Sequence, residues 1–284
     1  MQTLAHEFLD IERECGFEVD QSCYDTLDSL LERAREIDTS QEPKKILSDI
    51  ASVFREFGLK PLFRMDRILS QGLQTKKVDC KQYPALYHSV AERLDLPLSI
   101  VLVPGHIVIR WSDGKHNINW ETLDAKEVSD EYLISEYNIS KKSITNGVYL
   151  RNLTREQAKA IAFASCGNSK AEKGDLDGAI SDYNKAIGFF PKYLTVNLNI
   201  GISKTRKIDL DGAISAFDKA IELDPDCAKA YLNLGIAKEL KGDLDQAREA
   251  YEKARCLDPF YSAKGIVLIP LNKNETKSRI AGKE

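Results

Sequence analysis

The sequence has no long apolar run and little excess of charge of either sign. Lys and Arg number 40 against 44 Asp and Glu, a formal net charge of −4, so no general attraction to nucleic acid or anionic membranes is expected. No apolar run approaches the roughly 20 residues that a membrane-spanning helix needs. The acidic start, MQTLAHEFLDIEREC, lacks the apolar core of a signal peptide. A cytoplasmic protein is therefore expected.

Metal and cofactor motifs are also missing. The six cysteines form no CxxC pair and no ligand spacing with the four histidines, so no metal site is predicted and reduced thiols are expected. No calcium loop, Gly-rich phosphate loop or nucleotide motif is present, so no cofactor is expected. The scattered cysteines are Cys15, Cys23, Cys80, Cys166, Cys227 and Cys256.

What the sequence does have is a 34-residue period in its second half. Three prolines, small residues and aromatic residues recur with it, as in tetratricopeptide repeats, whose paired helices cross at small residues beside an aromatic side chain. An all-α superhelix of α-α hairpins over 153–260 is predicted, with three repeats at about 160–193, 194–227 and 228–260. The periodic sets include Pro191, Pro225 and Pro259; Gly167, Gly201 and Gly235; and Tyr183, Phe217 and Tyr251.

Such repeats offer a concave surface, so a protein or peptide partner is expected there. By resemblance to members that grip acidic C-terminal tails, Asn168, Asn199 and Lys229 fall at positions of a Lys/Asn/Arg clamp. Ala164 and Asn233 occupy positions where that clamp has Lys and Arg, so the clamp is incomplete.

The first half is organised around residues 78–121. Asp79-Cys80 precedes a one-faced helical pattern, and two β-prone runs follow, the second opened by His106 after Pro-Gly. The next predicted strand ends in Asn-Trp-Glu. A thiol becomes a nucleophile as thiolate, which a helix N-terminus and an imidazolium both favour, while a third polar group orients the imidazole. The chain therefore contains, in order, a candidate nucleophile (Cys80), a candidate base (His106) and a candidate orienting group (Asn119 or Glu121).

The segments DCKQYPALYHSVAERLDLP, VPGHIVIRW and NWE resemble the transglutaminase-like superfamily, which has a papain-like Cys-His-Asp core. They are most similar to a bacterial branch in which tetratricopeptide repeats follow that core. The resemblance implies an α+β papain/transglutaminase-like domain with Cys80 as nucleophile and His106 as base. The family's third-strand Asp aligns with Asn119, which is slightly preferred as orienter over Glu121 on the same strand face.

Four regions are predicted: a helical lead over 1–60 packed on the core, a transglutaminase-like core over 61–152, the repeats, and a C-terminal extension and tail over 261–284. Within that extension, Gly265 to Pro270 is a short apolar piece that is expected either to cover the open end of the last repeat or to pair with another segment.

Two functions fit this organisation. One is a cysteine-dependent enzyme acting on acyl or amide bonds, a peptidase, amidase or transglutaminase-type transferase, whose repeats recruit a protein partner. The alternative is a catalytically inactive transglutaminase-like fold that serves as a protein-binding scaffold. Both share one architecture, so the reactivity of the thiol must distinguish them.

Overall fold

A computed structural model describes residues 2–62 and 68–258. The chain divides into two compact units, the first ending at Tyr193 and the second beginning at Leu194. The apolar piece at 265–270 and the tail predicted after it lie outside the described residues. Among the residues that are described, no helix has the length and apolarity to cross a membrane.

The first unit begins with helices and ends with a helical hairpin, with a sheet between them. Its elements are α1 (Leu4–Glu14), α2 (Gln21–Ala34), α3 (Pro43–Glu56), β1 (Lys60–Pro61), α4 (Leu69–Thr75), β2 (Lys77–Val78), α5 (Gln82–Leu94), β3 (Leu98–Val103), β4 (His106–Ser112), β5 (Asn117–Glu121), β6 (Lys126–Val128), α6 (Asp130–Glu136), α7 (Lys141–Thr145), α8 (Arg155–Glu172) and α9 (Leu176–Phe189). The second unit contains α10 (Leu194–Arg206), α11 (Leu210–Leu223), α12 (Ala228–Lys241) and α13 (Leu244–Leu257).

The main sheet is a four-stranded antiparallel meander in the order β3-β4-β5-β6. A tight turn at Pro104-Gly105 joins the first two strands, pairing Val103 with His106, and Gly105 takes the left-handed conformation (φ 72°) that such a turn requires. The predicted sheet-containing N-terminal region is thus confirmed. Its assignment to the papain- or transglutaminase-like fold stays a prediction.

Helix α5 lies on this sheet and fixes the position of the chain just before it. Leu86 and Val90 are fully buried, one helical turn apart, and the helix packs against β3, β4 and α1. Helix α1 in turn packs against α8. The result is a core in which the sheet, α5 and the N-terminal helices share one apolar interior.

The helical hairpins show why the 34-residue period exists. In each, a glycine of the first helix lies under an aromatic ring of the second, and an added Cβ would stand 2.4 or 2.5 Å from a ring carbon. Only glycine lets the two helices approach this closely, because packed interiors leave no room for an extra methyl group. The pairs are Gly167 with Tyr183, Gly201 with Phe217, and Gly235 with Tyr251.

The loop between paired helices has the same left-handed residue in each hairpin, but in one hairpin that residue is not glycine. Gly174, Ile208 and Gly242 hold the same place in successive hairpins, and all three are left-handed, with φ of 86°, 63° and 97°. For a β-branched residue this conformation is unfavourable, because Cβ approaches the backbone carbonyl. Ile208 is therefore a point of local strain in the second unit.

Candidate active site

Asp79 and Gln82 place Cys80 in the first turn leading into α5. The Asp79 carboxylate accepts the backbone N–H of Lys81 (2.8 Å) and of Gln82 (3.3 Å), and the Gln82 side chain accepts the Asp79 N–H (3.3 Å). This reciprocal arrangement resembles a capping box and lies in the turn just before α5, where a short polar residue and a Gln three positions later bind each other's backbone N–H groups. The pattern Asp-Cys-Lys-Gln is the sequence signal for it. This turn places Cys80 at the N-terminal, positive end of the helix dipole. Cys80 is 5% exposed.

His106 opens β4 and Glu121 closes β5, and their side chains meet. The Nε2 atom of His106 lies 2.5 Å from Oε2 of Glu121, and both side chains are 11% exposed. The Cys80 thiol lines the same cavity as His106 and is one of the groups that raise the pKa of its imidazole. The imidazole therefore has both a thiol and a carboxylate as neighbours.

The charge state of His106 follows from these neighbours. Burial is the largest single influence and lowers the pKa of the imidazolium, but hydrogen bonds and charges from Cys80 and Glu121 together raise the pKa to about 9. The imidazole is thus protonated at neutral pH. A cation beside a thiol favours the thiolate, the nucleophilic form of cysteine.

The structure brings Glu121, and not Asn119, to His106, which corrects the preference drawn from the sequence. The Asn119 amide accepts from Arg110 Nε (2.7 Å) and donates to Asp130 Oδ1 (2.8 Å). The physical reason is strand register: Asn119 lies directly opposite Arg110 across the β4–β5 ladder. Glu121 is on the same strand face two residues further along, where it is a diagonal neighbour of His106 on β4.

A cavity of about 300 Å³ opens at this site. The Tyr137 ring stacks on the His106 imidazole, with centroids 5.4 Å apart and planes at 7°. Sequence reasoning missed Tyr137 as a site residue, because it lies in an irregular polar segment without periodicity. The residues lining the cavity are Leu62, Cys80, Gly105, His106, Glu121, Leu123, Asp124, Lys126, Tyr132 and Tyr137.

The other cysteines and histidines of the described residues have different surroundings. Cys15 and Cys166 are buried and hydrogen-bond to each other, between α1 and α8. His88 lies further along α5 beside Glu92 (3.7 Å), and burial, followed by the Arg155 charge, lowers its pKa to about 4. Across the described ranges, no group of three or more His, Cys, Asp or Glu side chains could hold a metal ion.

The candidate partner-binding residues lie on the first helices of the hairpins. Asn168, on α8 in the first unit, accepts a hydrogen bond from the Tyr183 hydroxyl (2.9 Å). In the second unit, Asn199 is half-buried on α10 and Lys229 is exposed at the start of α12. The Asn233 side chain donates to the Lys229 carbonyl oxygen (2.7 Å). Each candidate is on the predicted type of helix, and their binding role stays a prediction.

Comparison with known families identifies one region. Residues 198–262 match the family described as tetratricopeptide repeat. Together with the glycine–aromatic hairpins, this match shows that the C-terminal part of the chain is built of tetratricopeptide repeats. A comparison with curated proteins gives no match.

Solved structures similar to this chain are tetratricopeptide domains. The second such domain of Spaghetti (RPAP3), bound to the HSP90 peptide SRMEEVD, is 23% identical (TM-score 0.36) over 37% of this chain and 96% of that chain. The second domain of human RPAP3, in complex with the HSP70 peptide SGPTIEEVD, is 22% identical (0.37) over 42% and 98%. The Arabidopsis OM64 domain is 19% identical (0.37) over 45% and 98%.

Proposed function

We propose that Cys80, His106 and Glu121 form the active site of a cysteine-dependent enzyme acting on acyl or amide bonds. The observation that carries the proposal is the position of His106, which has a thiol at a helix start and a buried carboxylate as neighbours in the wall of a cavity. Nucleophile, base and orienting group are the three roles that such chemistry requires.

In this mechanism His106 is already protonated in the resting site, and the Cys80 thiolate attacks the substrate carbonyl carbon, so that a C–S bond forms as the carbonyl π electrons move to oxygen. The backbone N–H of Cys80, just before α5, stabilises the oxyanion. The C–N bond then breaks, His106 gives its proton to the leaving amine, and a thioester remains. Water resolves it to the acid in a hydrolase, and a second amine resolves it to a new amide in a transferase. Glu121 keeps the imidazole oriented and stabilises its cationic form.

The repeats have a separate role in the proposal, which is to bind a protein or peptide. The support is the tetratricopeptide match over residues 198–262, since stacked repeats of this kind expose extended binding surfaces. The alternative, a binding scaffold without turnover, is supported by the same match. The two functions differ only in whether the Cys80 thiol is reactive.

Site-resolved alkylation distinguishes the enzyme from the scaffold. Native protein is treated with iodoacetamide at pH 6, where an ordinary thiol of pKa about 8.5 is almost fully protonated and reacts slowly. Labelling at each cysteine is then measured by peptide mass spectrometry. Cys256 is exposed and gives the rate of an accessible thiol in the same molecule. We expect Cys80 to react at least about tenfold faster than Cys256 at pH 6, because the cationic imidazole favours its thiolate.

His106→Ala should abolish that advantage, and the matched control His88→Ala, which changes a histidine on α5 away from the thiol, should keep it. Labelling at pH 9 tests whether reagent reaches Cys80 at all. If Cys80 is labelled at pH 9 but is no faster than Cys256 at pH 6, the enzyme proposal is wrong and the scaffold remains.

A further inference from the structure

One wall of the cavity beside Cys80 is a short helix that is tied to the sheet. Asp130, at the start of α6, accepts from Arg110 Nη2 (2.6 Å) and from the Asn119 amide (2.8 Å), and Arg110 and Asn119 lie on the central strands. The Ser129 hydroxyl caps the helix by accepting the Tyr132 N–H (3.1 Å). The wall is therefore held in place by Arg110 and by Asn119, the residue that the sequence had slightly favoured for orienting His106.

That wall presents aromatic surface to the cavity. Tyr132 lines the cavity while 45% exposed, so its ring is available to a ligand, and Tyr137 lines it while stacked on His106. Leu62 and Leu123 complete the apolar lining. A volume of about 300 Å³ is at the low end for ligand pockets and suits one side chain rather than a long segment.

Among the described residues that line the cavity, the charged side chains of His106, Glu121, Asp124 and Lys126 are paired with one another. The His106 imidazolium faces Glu121 at 2.5 Å, and Lys126 faces Asp124 at 3.0 Å. A ligand carboxylate or ammonium would have to compete with these pairs while losing water, which is costly near apolar walls. An uncharged aromatic group instead gains contact with the tyrosine rings.

Resting on the proposed thiol chemistry, we infer that the cavity selects acyl donors that carry an uncharged aromatic side chain next to the reacting carbonyl, with Tyr132 as a specificity-determining residue. The aromatic group lies against Tyr132 and the two leucines, which places the carbonyl carbon at Cys80.

The test uses four N-acetyl aminoacyl chloromethyl ketones, derived from Phe, Ala, Glu and Lys, on the full chain. In each the Cys80 thiolate displaces chloride from the methylene carbon, so the reacting group is constant and only the side chain varies. The rate of labelling at Cys80 is followed by peptide mass spectrometry, with iodoacetamide as a reagent that has no side chain. We expect the Phe reagent to exceed the Glu and Lys reagents by about tenfold or more.

Three variants locate the preference. Tyr132→Ala should lower the Phe-to-Ala ratio about three- to tenfold, and Tyr132→Phe should retain it, since the ring and not the hydroxyl makes the contact. Ile134→Ala is the matched control, an exposed apolar residue of the same helix outside the cavity lining, and should leave the ratio unchanged.

The outcomes are distinct. Fast iodoacetamide labelling with equal rates for the four reagents, or with faster charged reagents, overturns the selectivity and leaves the thiol site standing. An unchanged ratio in Tyr132→Ala overturns the role of Tyr132. Slow labelling of Cys80 by every reagent overturns both the site and its selectivity.

Discussion

Replacing Glu121 by Gln should lower the pKa of His106 without changing the shape of the site. In the native chain the pKa of this imidazole is about 9 against an ordinary value of 6.5. Burial already lowers the pKa, so the rise comes from Cys80 and from the Glu121 carboxylate 2.5 Å away. Removing a close opposite charge lowers a pKa by about 1–3 pH units. In Glu121→Gln we therefore expect His106 to titrate between about pH 6 and 8.

The assay is a nuclear magnetic resonance titration of the imidazole Cε1–H signals in protein labelled at histidine. The chain has only four histidines, and a His106→Gln sample assigns the signal of interest. His88 is an internal contrast, because its burial lowers its pKa to about 4, so that it stays neutral across the range in which His106 stays charged.

Asn119→Ala is the control, since it removes a neutral amide bonded to Arg110 and Asp130. It should leave the His106 midpoint within about half a pH unit. A His106 midpoint near 6.5 in the native chain, or the same midpoint with and without the Glu121 carboxylate, would refute the assignment of Glu121 as its partner.

The same ionisation gives the folded state a dependence on pH. Because the pKa of His106 is raised on folding, protonation stabilises the fold fully below pH 6.5, and the contribution is lost as pH rises to about 9. A shift of this size corresponds to about 3 kcal/mol. Urea unfolding of the native chain and of His106→Gln at pH 6.5 and 9 should show a larger dependence in the native chain, because buried groups such as Cys23, whose pKa is also raised, contribute equally to both. Equal dependence in both would exclude it.

Three further changes test the packing and the helix start, each by urea unfolding of the full chain. Gly201→Ala should destabilise the second unit by about 1–3 kcal/mol, because its Cβ would overlap the Phe217 ring, and an unchanged midpoint would contradict the close approach. Ile208→Gly should stabilise it by about 1 kcal/mol by removing left-handed strain, and a loss of stability would show that the Ile side chain packs usefully. Asp79→Ala should cost about 1 kcal/mol and slow alkylation of Cys80, whereas unchanged alkylation would separate the cap from the thiol.

The features that the sequence predicts well are those with a fixed spacing. The repeat period places each glycine opposite an aromatic residue 16 positions later, as Gly201 and Phe217 show. The order of Cys80 and His106 likewise follows from a helix start and a Pro-Gly turn, each of which has a local signal.

The orienting residue was harder to predict, because Asn119 and Glu121 share one strand face and alternation alone does not distinguish them. The choice is made by the pairing of Asn119 with Arg110 on the neighbouring strand, a contact that no local pattern encodes. Tyr137 escaped prediction for a similar reason, since it reaches His106 from a segment without periodicity.

The placement of the first helical hairpin within the first unit has a consequence for how the chain can be cut and recombined. Arg155 bonds to Glu92 (3.1 Å) and Glu7 (3.2 Å), and Cys166 is fully buried near Cys15. A fragment ending at residue 152, just before the predicted start of the repeats, would lack α8 and so lose the packing of α8 against α1. An expressible thiol-site fragment should instead extend to Tyr193. The first hairpin is therefore part of the compact unit that carries the thiol site.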